Sequence, residues 1–211
     1  MRTMAEAKVT LYGSAGGRSS RSLVALEELA IPYRHVPLRP WAEQGDKERL
    51  LRINPNERVP VLDDDGLLIW ESMAINLYLA DRYGTAPLWP SDPRDRALIY
   101  QWSIWGQTEI DVMARHKDRF SGAPERVEHA MAELRARLAI LNNALAGREY
   151  LLGDVFTLAD INMATTLIEP WELSRPDGGD IRPGDRDFPA VGEWLARCTG
   201  RRSWDRVRLL P

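Results

Sequence analysis

The chain has 211 residues and a mass of 24.0 kDa, a length that predicts one large domain or two small ones and excludes a long array of modules. Hydrophobic residues make up 44% of the chain and charged residues 28%, so neither a disordered nor a fibrous class fits. The 28 basic and 31 acidic side chains give a net charge of −3 and are spread along the chain, which argues against nucleic acid as a partner.

The sequence favours a cytoplasmic protein that has no membrane partner. Its single cysteine, Cys198, cannot close an intramolecular disulfide, which is typical of a reducing compartment. Residues 1–7 lack the apolar stretch of a signal peptide. No apolar run approaches the roughly 20 residues that a membrane-spanning helix needs.

The first part of the chain alternates between strand and helix patterns. The β-prone run 8–12 predicts a strand that stops at a loop of small residues. Ser19 and Ser20 are plausible N-caps for the helix that follows. A second β-prone run covers 33–36, and a short polar helix is predicted over 41–53.

A hairpin and a third helix complete this half. Two apolar runs, 61–62 and 67–70, flank the acidic segment 63–66, and Asp-Gly between apolar runs is a strong hairpin signal. A helix then begins near Ser72 and stops at Gly84. The predicted order of elements is therefore β-α-β-α-β-β-α.

Residues 85–92 contain two prolines and show no clear period, so they are predicted to link a domain of residues 1–84 to a second domain of residues 93–211. The patterns after this linker are helical. Helices are predicted from 93 to about 120, over an apolar seam from 127 to 145, from Thr157 to about 169, and over 189–199. The fold class is thus an α/β domain followed by an all-α helical bundle.

Four short motifs lie in an order and spacing shared with one protein family. They are Arg18-Ser19-Ser20-Arg21 followed by Ala25-Leu26-Glu27-Glu28-Leu29, Asn54-Pro55-Asn56-Glu57-Arg58-Val59-Pro60-Val61-Leu62, Trp70-Glu71-Ser72-Met73-Ala74-Ile75, and Phe156-Thr157-Leu158-Ala159-Asp160. With the predicted layout, they make the chain resemble the glutathione S-transferase superfamily, which has a thioredoxin-like amino-terminal domain. The resemblance spans nearly the whole sequence, while the subclass stays unassigned.

The resemblance implies which residues bind glutathione. Pro60 is expected to follow a cis peptide bond, so that the main chain of Val59 pairs with the cysteinyl part of glutathione as an added strand would. Ser72 is expected to bind the γ-glutamyl carboxylate, and Glu71 the α-ammonium group. Arg58 and Arg18 complete the expected glutathione-binding set. If the family resemblance is set aside, the residues alone predict that Val59-Pro60 begins a strand and that Ser72 caps the amino terminus of a helix.

The group that activates the thiol is the point at which the sequence departs from the family. Gly16 or Gly17 stands where many relatives carry a serine. The cysteines of isomerase-like and thiol-oxidoreductase relatives are also absent from this loop, which disfavours those two activities. A free thiol has a pKa of about 8.5 and is mostly protonated at neutral pH. Because only the thiolate is a good nucleophile, a transferase needs a group that stabilises it.

Four residues are candidates for this catalytic role. Ser19 is preferred because it lies at or next to the amino terminus of the first helix, where an anion is favoured. Arg18 could stabilise the thiolate by its charge. Ser14 and Tyr12 are the remaining alternatives, although a strand tyrosine is more often a packing residue.

A hydrophobic electrophile is the expected second substrate. Its pocket is expected between the two domains, where clefts commonly form. Candidate lining residues are Trp102, Trp105, Met113 and His116, although some of them are equally explained as core or surface side chains. The histidines form no close pair on a helical face, so we expect no metal.

The sequence therefore predicts a homodimeric glutathione transferase that conjugates glutathione to small hydrophobic electrophiles, in a role typical of detoxification. Two alternatives stay open. One is a protein of the same fold that binds glutathione or another ligand without turnover. The other is an enzyme that reduces peroxides or disulfides with glutathione, since both reactions use the same thiolate.

Overall fold

A computed structural model describes residues 8–40, 43–112, 123–173 and 187–211. Within these ranges the strands are β1 (Val9–Tyr12), β2 (Tyr33–Val36), β3 (Val61–Asp64) and β4 (Leu67–Trp70). The helices are α1 (Gly17–Glu28), α2 (Gln44–Leu51), α3 (Ser72–Tyr83), α4 (Pro93–Trp105), α5 (Pro124–Leu145), α6 (Leu158–Leu173), α7 (Pro189–Thr199) and α8 (Arg202–Arg208). None of the helices in the described ranges is long and apolar enough to span a membrane.

The four strands form one mixed sheet in the order β2-β1-β3-β4. Strand β1 is parallel to β2 and antiparallel to β3, and β3 is antiparallel to β4. The first half therefore has the predicted order β-α-β-α-β-β-α, and the second half is helical. The predicted fold class, a thioredoxin-like domain followed by a helical domain, is confirmed.

The hairpin turn is shorter than the four-residue segment 63–66 predicted from the sequence. Strand β3 continues through Asp64, and only Asp65 and Gly66 form the turn, both with positive φ (55° and 94°). Positive φ at both central residues is the geometry that matches the twist of the flanking strands, and Asp-Gly adopts it readily. The Asp63 carboxylate accepts the Gly66 N–H at 2.8 Å.

Helix α1 begins earlier than predicted. Gly16 occupies the N-cap position and makes no side-chain cap, so Ser19 and Ser20 lie inside the first turn and do not cap the helix. The small residues before them let the chain enter the helix without a capping hydroxyl. The Ser20 hydroxyl instead donates to the Gly17 carbonyl at 2.6 Å.

The described residues divide into two compact units, one of residues 8–85 with 202–211 and the other within 86–201. This differs from the predicted domains at the carboxyl terminus. Helix α8, which has no counterpart among the predicted elements, packs on α1: Ser203 donates to Glu28 at 2.5 Å and Arg206 pairs with Glu27 at 3.0 Å. Seven residues with few apolar positions carry too little periodicity to predict such a helix.

In the second unit, α4 is extended by a π-helical turn, Gly106–Ile110. Gly106 faces α6, and a β-carbon built on it would overlap the sulfur of Met163. A larger residue at this position would force the Met163 side chain to move, so glycine favours the observed packing of the two helices. The predicted continuation to about residue 120 lies partly outside the described residues, while α5 and α7 have the predicted positions.

The start of α6 is organised around a buried carboxylate. Asp160 accepts hydrogen bonds from the Thr157 N–H and the Leu151 N–H, both at 2.9 Å, and from the Thr157 hydroxyl at 3.1 Å. The indole N–H of Trp194, on α7, donates to the same carboxylate at 2.9 Å. Burial raises the pKa of Asp160 despite these hydrogen bonds. The predicted capping motif therefore also ties α6 to α7.

The substitution Asp160→Asn should lower the free energy of unfolding by about 2–3 kcal/mol, because an amide NH₂ would then face the buried donors of Thr157. Chemical denaturation followed by circular dichroism measures this change. Asp154→Asn, at an exposed position six residues earlier, is the matched control and should stay within about 0.5 kcal/mol of wild type. Equal stabilities of the two variants would contradict the role assigned to Asp160.

Candidate active site

The sheet register brings three separate segments to one end of the sheet. Val61, the first residue of β3, pairs with Tyr12 on one side and with Trp70 on the other. The loop after β1, the residues before β3 and the residues after β4 therefore lie next to one another. A β-carbon built on Gly13 would come within 3.3 Å of the Val59 β-carbon, which places the first two segments in direct contact.

The loop after β1 is held at its base. The Gly13 N–H donates to the Val36 carbonyl at 3.0 Å, and the His35 Nε2–H donates to the Gly13 carbonyl at 2.7 Å. At the far end of the loop, Gly17 has a φ of 59°, in the left-handed region that favours glycine. The backbone is thus adapted to glycine at one of the two positions, Gly16 or Gly17, where many members of the resembled family carry a serine.

Ser19 and Arg18, neighbours in the first turn of α1, differ in accessibility. Ser19 is fully buried, and its hydroxyl has no hydrogen-bond partner within the described residues. This hydroxyl points toward the base of the loop, because a β-carbon on Gly13 would overlap it. Arg18 is only half-buried. Of these two candidates, Arg18 is the one whose side chain reaches the protein surface.

The two other candidates for thiol activation have distinct surroundings. Tyr12 is buried in an apolar cluster with Leu38, Leu50 and Val61, and the Arg49 guanidinium lies 5.5 Å from its ring centre. These contacts are those of a packing residue. Ser14 lies half-buried in the loop, where its hydroxyl makes a long 3.4 Å contact with the Gly16 carbonyl.

The segment before β3 presents free main-chain groups. The Val59–Pro60 peptide bond is cis, as the resemblance implies. Within the described residues, the N–H and C=O of Val59 form no hydrogen bond. An extended peptide could therefore add to Val59 as a strand adds to a sheet edge. Arg58, just before it, is exposed.

Asn54 shapes this segment, although the sequence analysis gave it no role. It is buried, its amide donates to the Arg58 carbonyl at 2.7 Å, and its side-chain oxygen accepts the Asn56 N–H at 2.9 Å. These bonds close the turn that leads to Val59. The signal in the sequence was an Asn-Pro pair four residues before Arg58, a common turn signature.

The segment after β4 contains a strained residue. Glu71 has φ 74° and ψ 114°, a backbone conformation that non-glycine residues rarely adopt. Its side chain is exposed, whereas Ser72 next to it is almost fully buried and begins α3. The Ser72 hydroxyl forms no hydrogen bond within the described residues. The pairing of Trp70 with Val61 places Glu71 and Ser72 at the end of the sheet near Pro60.

Two helices start at this end of the sheet without a side-chain cap, α1 after Gly16 and α3 after Glu71. The main-chain N–H groups of a first turn and the helix dipole together favour a bound anion. The end of the sheet therefore offers two positions for negative groups, with the carboxylate of Glu71 available for a cation. A ligand with two anionic groups and one ammonium group fits this pattern.

The candidate pocket residues of the second half are only partly within the described ranges. Trp102 and Trp105 lie on α4, half-buried, with their rings edge to face at a centroid distance of 5.5 Å. Met113 and His116 lie outside the described residues. Among the residues that are described, no group of three or more histidine, cysteine, aspartate or glutamate side chains is placed to hold a metal ion.

Comparison with protein families gives two matches. Residues 7–81 match the amino-terminal domain of glutathione S-transferases, and residues 124–197 match the carboxyl-terminal domain. The fold and the site at the end of its sheet thus define a protein of the thioredoxin-like, two-domain transferase class. Taken together, the two matched segments place the chain in the glutathione S-transferase family.

Individual relatives agree with this assignment. Glutathione S-transferase GstB of Escherichia coli is 32% identical over 217 residues, covering 96% of this chain and 99% of its own. Glutathione S-transferase D7 of Drosophila melanogaster is 33% identical over 162 residues, covering 72% of this chain and 67% of its own. A theta class glutathione S-transferase from Xanthomonas axonopodis pv. citri, solved with glutathione bound, has a TM-score of 0.80, 28% identity and coverage of 97% and 98%.

Glu71→Gly should raise the free energy of unfolding by about 1 kcal/mol, because glycine adopts the observed backbone angles without strain. Glu71→Ala removes the same side chain but keeps the strained geometry, so it should give no such gain. Chemical denaturation of both variants separates the two effects. If both variants changed stability equally, the backbone conformation of Glu71 would not be the source of strain.

Proposed function

We propose that this protein is a glutathione transferase that holds glutathione at the end of the sheet, stabilises its thiolate and transfers it to a small hydrophobic electrophile. The observation that carries the proposal is the convergence of Val59, Glu71 and Ser72, which the pairing of Val61 with Trp70 enforces. Their chemistry matches the groups of one tripeptide: a peptide backbone, an ammonium and a carboxylate.

Glutathione would lie across the three segments. The free N–H and C=O of Val59 would pair with its cysteinyl residue, as in an added strand. The γ-glutamyl carboxylate would bind at the uncapped start of α3, at the Ser72 hydroxyl, while the Glu71 carboxylate would take the ammonium group. Arg58 adds an exposed positive charge beside this ligand.

Thiol activation is assigned to the first turn of α1. The turn has no side-chain cap, and the half-buried residue Arg18 belongs to it, so its charge and the main-chain N–H groups can act together on a thiolate. Ser19 lies in the same turn but is fully buried. We therefore place Arg18 ahead of Ser19 as the activating side chain.

The chemical step is a nucleophilic attack. The thiol loses its proton to solvent, the thiolate sulfur forms a bond to an electrophilic carbon, and that carbon releases a leaving group or passes its electron pair to an adjacent acceptor. The half-buried rings of Trp102 and Trp105 are apolar surface suited to a hydrophobic electrophile. Rate enhancement comes from thiolate stabilisation and positioning.

The proposal includes that the protein is a homodimer and is located in the cytosol. Strand β4 is an edge strand whose Leu67, Leu68 and Trp70 are 50%, 40% and 41% exposed. Exposed apolar edges promote unwanted association unless they are covered, and a second copy of the chain would cover this one. The single cysteine of the chain, Cys198, is buried and forms no disulfide, which fits a reducing compartment.

An ultraviolet difference titration with glutathione at several pH values tests the proposal. Thiolate absorbance of the bound ligand should appear well below a pH of about 8.5, the pKa region of an unperturbed thiol. S-methylglutathione, which lacks a free thiol, is the matched ligand control and should give no such signal. The Ser72→Ala variant should need higher glutathione concentrations for the same absorbance.

The titration also separates the alternatives. Binding without thiolate absorbance would favour a glutathione-binding protein without turnover, a candidate that Gly17 supports because it offers no hydroxyl in the loop. The absence of any glutathione binding would contradict the proposal as a whole. If the thiolate forms, assays with an electrophile and with a peroxide distinguish transferase from reductase activity.

Arg18→Ala should raise the pKa of the bound thiol by about one unit, because it removes the positive charge from the first turn of α1. Ser19→Ala should leave this pKa unchanged, since its hydroxyl is directed inward. The pH dependence of the bound thiolate absorbance measures both. Arg94→Ala, which removes an exposed arginine in the first turn of α4, is the control. A pKa shift only in Ser19→Ala would transfer the activating role to Ser19.

A further inference from the structure

A buried carboxylate lies at the other end of β3, away from the proposed glutathione site. Asp64 is the last residue of this strand and is 5% exposed. Its carboxylate accepts hydrogen bonds from the hydroxyls of Tyr78 at 2.6 Å and Tyr83 at 2.7 Å, and Arg82 Nε lies 3.2 Å away. The three partners all belong to α3. We call Asp64, Tyr78, Arg82 and Tyr83 the Asp64 cluster.

The residues of the Asp64 cluster keep their protonation states around neutral pH. Burial alone would raise the pKa of Asp64, but the two tyrosine hydroxyls and the Arg82 guanidinium outweigh it and hold the pKa below its ordinary value. Burial and the adjacent carboxylate raise the pKa of Tyr78 to about 12. Around neutral pH the carboxylate is therefore ionised and both tyrosines donate.

The hydrogen bonds of the Asp64 cluster constrain α3 in a way that its apolar contacts do not. The helix buries Ile75, Leu79 and Ala80, and apolar contacts of this kind are non-directional, so they resist separation better than sliding or rotation. The bonds to Asp64 are directional, and the carboxylate that accepts them lies on a strand paired on both sides. They can therefore fix the axial position and rotation of α3 against β3.

We propose that Asp64 is a positioning residue for glutathione binding, which sets the place of Ser72 relative to Val59 by fixing α3 on β3. Strand β3 leads directly from the Val59–Pro60 segment, and α3 leads directly from Ser72. Six residues of helix separate Ser72 from Tyr78, a distance of about 9 Å along the axis. A shift of the helix at the cluster is transmitted to its first turn.

This inference rests on the proposed function, since it concerns the same glutathione site. It adds residues that do not touch the ligand and that the motifs of the sequence do not mark as binding residues. The residues that bind glutathione occupy one end of β3 and α3, and the Asp64 cluster locks the other end. A loss of the cluster is therefore expected to affect binding from a distance.

The test compares Tyr78→Phe, Tyr83→Phe and the double variant with wild type, using calorimetry with glutathione at a temperature where all are folded. The double variant should raise the dissociation constant of glutathione about 2- to 30-fold. Asp65→Asn, which alters an exposed carboxylate next to Asp64, is the matched control and should bind as wild type does.

Amide hydrogen exchange without ligand provides a second measurement. The Ile75 N–H donates to the Glu71 carbonyl at 2.9 Å and reports on the first turn of α3. Its exchange should be faster in the double variant than in wild type. If stability fell while both glutathione affinity and Ile75 exchange stayed unchanged, the cluster would only stabilise the far end of the helix, and the inference would be overturned.

The two proposals can fail separately. If wild type binds no glutathione, the proposed function fails and the role of Asp64 in glutathione binding fails with it, while Ile75 exchange still tests whether the Asp64 cluster holds the first turn of α3. If wild type binds glutathione and the double variant binds it equally well, the positioning role fails while the proposed function stands.

Discussion

The candidate site depends on the pairing of Val61 with two neighbours in the sheet. Because Val61 lies between Tyr12 and Trp70, the residues that precede β3, follow β1 and follow β4 meet at one end of the sheet. A slip of one residue in this register would turn every side chain of the strand to the opposite face and move Val59 away from Ser72. The main-chain hydrogen bonds between β1, β3 and β4 therefore set the positions of the segments that form the candidate site.

Unusual backbone angles and buried polar side chains then fix the details of the candidate site. Backbone geometry that ordinary residues avoid occurs at Glu71 and, in glycine form, at Gly17, and both lie at the end of the sheet where glutathione is proposed to bind. Two buried polar residues hold the backbone around this site: Asn54 closes the turn before Val59, and Asp64 joins β3 to α3. Backbone angles at Glu71 and Gly17 thus shape the proposed binding site, while Asn54 and Asp64 hold the elements on which that site is built.

Much of the fold and part of the site could be predicted from the sequence, because their signals are local. Alternating periods gave the order of strands and helices, and Asp65-Gly66 marked the hairpin. The predicted start of α1 was wrong by three or four residues, because serine is the usual cap and the chain uses Gly16 instead. Helix α8 was missed, since it packs on α1 and contacts Glu27 and Glu28, about 175 residues earlier in the chain, and a local pattern does not record such contacts.

The sequence by itself determined the fold class, the family resemblance and the residue types proposed to bind glutathione, because these follow from periodicity and short motifs. Only the tertiary structure decided which side chains are accessible. It turned the Ser19 hydroxyl inward and left Arg18 half-exposed in the same helical turn. It also joined Asp64 to Tyr78 and Tyr83, 14 and 19 residues away. Direction and burial depend on how elements pack, and a linear pattern does not record them.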